Sequence, residues 1–213
     1  LFGFELMSNF KFPYFSRDIG EFWRRWHISL STWFRDYLYI PLGGSKGGKW
    51  LSIRNIFIIF IVSGFWHGAN WTFIMWGLIH AMLYIPLFLR GKNRQYTTAI
   101  VAEDKWFPSL KELFQMGSTF FFTMIAWVFF RSENVTDGLL YLARAVKNIQ
   151  VPMIHYQEII FIAIILFFEW IFRNNERELS KDIYGWHLSI ILIWAIIFAG
   201  MHGIQTSFIY FQF

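Results

Sequence analysis

The chain has 213 residues, 56% hydrophobic, 23% aromatic and only 15% charged, with 12 Trp and 27 Phe. That balance belongs to a bilayer protein and excludes an ordinary soluble globule, while the lack of cysteine excludes disulfides, thiolate catalysis and Cys-ligated metals. The net charge of +5 is carried by basic residues beside apolar spans without a nucleic-acid motif, so lipid headgroups are its expected partner and nucleic acid is not.

Taken in chain order, the start shows no initiator Met, basic stretch or small-residue cleavage site, so no targeting segment is expected. From Asp18 to Tyr39 a helix is expected to lie on or dip into the bilayer, because Trp23, His27, Leu30, Phe34 and Leu38 recur at three and four residues. Arg24, Arg25, Thr32, Arg35 and Asp36 fall mostly on its other face, and Pro41, Gly43 and Gly44 stop it. Two readings of Arg24, Arg25 and Arg35 stay open: headgroup contact with an internal ion pair to Asp36 or Glu21, or a grip on the phosphates of a ligand, which guanidinium forks suit.

Asn55 to Leu89 is 35 residues without Lys, Arg, Asp or Glu. As one helix it would reach about 52 Å, against a hydrocarbon core of about 30 Å. A break is therefore expected at Gly64 to Asn70, leaving Asn55 to Trp66 too short to span comfortably and Trp71 to Leu89 long enough for one pass. His67 lies in that break. Irregular backbone at membrane depth is tolerated where it is buried in protein or lines a watery cavity, and an ionisable residue there marks a functional site.

Further spans are expected at about Leu113 to Phe130, Ile159 to Phe172 with Glu169 inside, and His187 to Ile204, making five hydrophobic passes. Arg90 to Glu112 reads as a polar loop, Val135 to Ile149 as an interfacial helix, and Arg173 to Asp182 as a mixed-charge connector. The division is an interfacial His/Arg helix and loop over 1–50 and about five spans over 51–213, in one all-α polytopic transmembrane domain. Across five alternating passes, one side holds eleven Lys and Arg and the other three, Arg131, Arg144 and Lys147; the richer side is expected to be cytoplasmic.

Two blocks carry chemistry. The first is Glu21 to Gly44, with Phe22-Trp23-Arg24-Arg25-Trp26-His27-Ile28-Ser29-Leu30-Ser31, Trp33-Phe34-Arg35-Asp36-Tyr37 and Ile40-Pro41-Leu42-Gly43-Gly44; the second is Gly64-Phe65-Trp66-His67-Gly68-Ala69-Asn70-Trp71-Thr72-Phe73 with Trp76-Gly77. Together they closely resemble the membrane-bound O-acyltransferase family, in its bacterial alginate O-acetyltransferase-like branch, and the closing Phe208 to Phe213 resembles the end of that branch. Family members are longer on the N-terminal side, so the chain looks like a C-terminal half.

The resemblance implies transfer of an acyl group, acetyl first, from a thioester donor to a hydroxyl of an extracytoplasmic polysaccharide such as alginate or peptidoglycan. His67 matches the catalytic histidine and His27 the second, more variable polar position. A histidine titrating near neutrality suits the task of general base. An oxyanion donor is also needed, for which Asn70, Trp66 and Trp71 are candidates. No tightly bound cofactor or metal is expected; acetyl-coenzyme A or an acylated carrier is the expected co-substrate. A periplasmic transfer partner and a multi-pass place in the bacterial inner membrane are implied too.

The remaining ionisable residues have plainer readings. His80 reads as a hydrogen-bonded packing residue, and His155, His187 and His202 as interfacial, while Glu169 fits either a structural pair or a water-filled pathway. A b-type cytochrome would use His67 and His80 as axial ligands but needs partner histidines on a second span. A transporter would use the broken span and Glu169, but no inverted repeat is present.

Overall fold

The computed structural model describes residues 7–103, 105–148 and 156–174, with isolated positions at 190, 193 and 194. It forms two compact units, Leu1–Leu166 and Phe167–Phe213. All regular structure among the described residues is helical: α1 (Ile19–Arg25), α2 (Ile28–Phe34), α3 (Lys49–His67), α4 (Trp71–Leu89), α5 (Leu110–Arg131), α6 (Val135–Lys147) and α7 (Tyr156–Ile171). A 3₁₀ turn at Pro13–Phe15 precedes α1, and a π-helical turn at Arg35–Tyr39 follows α2.

Helices α3, α4 and α5 are long and apolar enough to cross a membrane. Here the expected break moves. Helix α3 starts at Lys49 and runs through His67 with 19 residues, so the piece expected to be too short is of spanning length, and the interruption shrinks to Gly68–Asn70. Arg54 is carried inside the helix because its guanidinium bonds the neighbouring Asn55 Oδ1 at 2.9 Å, while Asn55 Nδ2 donates to Leu42 O and Gly44 O. Asn70 then starts α4 by accepting from Thr72 N at 3.1 Å, a side-chain cap for an otherwise orphaned donor.

Helices α3 and α4 make the tightest pair because glycines let their backbones meet. A Cβ on Gly64 would collide with the carbonyl of Phe73, and one on Gly77 with that of Phe60. Such small residues replace the hydrophobic drive that lipid removes between helices. Helix α5 packs on α4 and opens with a reciprocal capping box between Ser109 and Glu112. Helix α6 is amphipathic as expected, over Val135–Lys147. Helix α7, over 16 residues, covers most of the expected fourth span; the fifth span apart from positions 190, 193 and 194, and His155, His187, His202 and Phe208 to Phe213, lie outside the described residues.

The expected single helix over Asp18–Tyr39 is two helices. His27 adopts φ 44°, ψ 57°, a left-handed conformation that costs a non-glycine residue about 1–2 kcal/mol. Asn9 holds the break: its carbonyl accepts from Ile28 N at 3.0 Å and its Oδ1 from Ser29 N at 2.9 Å. The apolar stripe survives the break in part, with Phe34 buried and Leu30 half-buried.

The loop after α4 is less polar in place than in sequence. Val101 and Ala102 are buried, and beneath them lies an ion cluster between α1 and the loop. Arg17 binds both oxygens of Glu21, with Nη2 at 3.0 Å from Oε1 and Nε at 3.1 Å from Oε2. Its Nη2 also donates to Ala99 O at 2.8 Å, and its guanidinium covers the Tyr96 ring at 3.9 Å. Arg25 adds a second contact to Glu21 Oε1 at 2.8 Å. In the second unit, the Arg173 guanidinium lies over the Trp170 ring at 4.2 Å.

Candidate active site

His67 is the last residue of α3 and sits in a cage of rings. Trp66 is 4.9 Å away between centroids, Phe130 of α5 5.0 Å, Trp76 of α4 5.3 Å and Phe73 of α4 6.4 Å. Three helices thus fix one imidazole, which follows from putting it at a helix end beside a three-residue turn. Its Nδ1 is buried without a hydrogen-bond partner among the described residues.

His27 stands at the turn between α1 and α2; α1 reaches the His67 cage through Trp23, whose ring packs on Trp76 at 5.6 Å. The Nδ1 of His27 is also buried without a partner among the described residues, its ring meets Phe10 at 6.1 Å, and its backbone is strained. Strain of this kind, maintained by surrounding contacts, concentrates at functional sites.

The arginines divide. Arg24 donates to Asn93 O at 2.7 Å and Tyr96 O at 3.3 Å, and Arg25 to Lys11 O at 3.2 Å and Ala99 O at 3.3 Å besides Glu21. Arg35 pairs with Asp36 through Nε at 2.7 Å and Nη2 at 3.1 Å. Of the two readings kept open for these residues, the internal pairs to Glu21 and Asp36 are present. Hydrogen bonding to Arg35 holds the exposed Asp36 carboxyl below the usual carboxylate range.

Arg35 also lines a cavity of about 260 Å³ with Trp23, Phe34, Phe60, Tyr84 and Arg94. Neither His27 nor His67 lines it, but Trp23 is a shared wall: its ring packs on Trp76 at 5.6 Å and on His80 at 4.9 Å.

Of the oxyanion candidates, Asn70 caps α4 and donates Nδ2 to Glu133 O at 3.0 Å, tying the turn after His67 to the start of α6. Trp66 touches His67 while 56% exposed, and Trp71 is 77% exposed. Sequence reasoning missed Phe130, since a Phe in an apolar span has no mark to separate it from packing. It missed Asn9 and Arg17 as well. Trp76 was legible only as part of the second block.

Residues 1–90, which contain both histidines, match the membrane-bound O-acyltransferase family. That segment carries the family's sequence. The chain is 47% identical over 136 residues to a probable alginate O-acetylase of Pseudomonas syringae pv. tomato, covering 63% of this chain and 24% of the relative. A peptidoglycan O-acetyltransferase of Helicobacter pylori is 39% identical over 154 residues, 72% of this chain and 28% of the relative. A teichoic acid D-alanyltransferase of Bacillus subtilis is 36% identical over 117 residues, 51% and 28% respectively. The chain spans about a quarter of the length of these curated relatives.

Proposed function

We propose that the chain is part of a membrane O-acyltransferase that moves an acetyl group from a thioester donor to a hydroxyl of an extracytoplasmic polysaccharide. The observation that carries this reading is the aromatic cage that three helices build around the His67 imidazole, inside the segment matched by the family. Two of the relatives are named for O-acetyl transfer, to alginate and to peptidoglycan, and the third for D-alanyl transfer. All three add an acyl group to a polymer.

The chemistry asked of His67 is deprotonation. Nε2 takes the proton of the acceptor hydroxyl as its oxygen attacks the thioester carbonyl. The tetrahedral intermediate collapses by breaking the C–S bond, and the imidazolium returns its proton to the departing thiolate. A positioned base contributes about 10²–10⁴-fold, and the ring cage supplies the positioning. His27 orients the donor or polarises its carbonyl. The donor, acetyl-coenzyme A or an acylated carrier, arrives from the basic, cytoplasmic side of a multi-pass protein in the bacterial inner membrane, and the acceptor from the opposite face, where a periplasmic partner completes transfer.

The test is label transfer from radiolabelled acetyl-coenzyme A to exported polysaccharide, using membranes with the full-length protein as wild type and as His67→Ala at equal expression. Label present in wild type and lost in the variant supports the proposal. Label retained by the variant removes His67 from the mechanism, and its absence in wild type rejects acetyl-coenzyme A as the direct donor.

A further inference from the structure

His80 lies on α4, about one turn beyond Trp76, and is fully buried, at 0% exposure. Its Nδ1 accepts from Trp23 Nε1 at 3.3 Å, which in a neutral imidazole places the remaining proton on Nε2. That Nε2 is buried with no partner among the described residues, as are Trp76 Nε1 and Thr72 Oγ1. Thr72, Trp76 and His80 follow one another at four-residue spacing, so the three unpaired groups form a row along one face of α4. Each is costly to bury alone, by about 1–3 kcal/mol, and buried polar groups in folded proteins are completed by protein or by ordered water.

The row also touches the chemistry. Trp76 meets the His80 ring at 4.9 Å and the His67 ring at 5.3 Å, both nearly edge to face at 75° and 86°. We infer that His80 is a positioning residue for acyl transfer, holding Trp76 against His67 through internal water bound along Thr72, Trp76 and His80. The inference rests on the reading of His67 as the base. His80 touches no reactant; it fixes the ring that fixes the base, and the neutral Nε2–H is the donor the water needs.

The experiment uses the full-length protein in membranes, with turnover normalised to inserted protein and both KM values measured. His80→Phe keeps a buried ring and removes the Nε2 donor, Thr72→Val removes the hydroxyl at constant shape, and His80→Gln returns an N–H near the Nε2 position. The expected result is kcat lower by about tenfold in His80→Phe and a few-fold in Thr72→Val, with both KM values within about twofold, and recovery of most of the loss in His80→Gln. Wild-type kcat in His80→Phe and Thr72→Val overturns the inference, and so does His80→Gln as slow as His80→Phe, because packing alone would then explain the residue. If His80→Phe does not insert, Thr72→Val against wild type decides on the same terms. His67→Ala, run alongside, separates the two failures: activity in that variant defeats the reading of the base itself, while its inactivity with full turnover in His80→Phe defeats only the positioning role.

Discussion

The two ends of α1 treat buried polarity in opposite ways. At its start, Glu21 is completely buried yet accepts from Arg17 and Arg25, and Arg17 reaches two loop carbonyls besides. Just past its end, His27 buries an Nδ1 with no partner among the described residues, and so does His67 inside its cage of rings. The saturated region is architecture: it clamps the loop after α4 onto α1. The unsaturated one retains hydrogen-bonding capacity for something that enters, which is what a site requires and what a core avoids.

Substitutions can break this contrast. His67→Ala should cut acyl transfer by at least about 10²–10⁴-fold with membrane insertion unchanged, read as label transferred per inserted molecule. Glu21→Ala should do the reverse, removing the carboxylate shared by Arg17 and Arg25 and leaving Arg17 only the longer pair to Glu112 at 3.6 Å, at a cost of about 3–5 kcal/mol. Thermal unfolding in detergent should show it, together with loss of inserted protein. If Glu21→Ala were stable but inactive, the clamp would belong to the site after all.

His27 sharpens the comparison, since it carries both backbone strain and an unpaired imidazole. His27→Ala should lower turnover by about tenfold. His27→Gly should be as slow but more stable than His27→Ala by about 1 kcal/mol, because glycine adopts φ 44° without a Cβ penalty; equal stability would mean the left-handed turn is not retained. The smallest effect on turnover is expected for Arg24→Ala combined with Arg25→Ala. Faster hydrogen exchange over residues 93–99 should accompany a donor KM within about twofold, whereas a large rise in KM would place these guanidinium groups on donor phosphate.

Much of the fold was legible because its signals are local. Apolar runs of spanning length and the periodicity of Val135–Lys147 are each readable within a few turns of chain, whereas the first turn of α5, capped by Ser109 and Glu112, was read as part of the polar loop. The misplaced break shows the limit. Arg54 and Lys49 looked like the edge of a span, yet α3 carries both, since Asn55 and the loop carbonyl of Leu42 receive the Arg54 guanidinium. The continuous helix expected through His27 failed for a related reason. Periodicity registers side-chain chemistry, whereas the break depends on hydrogen bonds from Asn9, a residue outside the periodic segment.

By itself the sequence determined the class: a helical membrane chain, two tryptophan-flanked histidines, and the blocks that link them to acyl transfer. Hydrophobicity and motif spacing are properties of neighbours along the chain, and they survive without coordinates. What folding adds is that Trp76 and Phe130 wall His67 and that Arg17 and Arg25 converge on Glu21. The ring cage joins α3, α4 and α5, and the ion cluster ties α1 to the loop after α4. Such contacts depend on how helices cross, which is set by glycine clearances and loop lengths acting together.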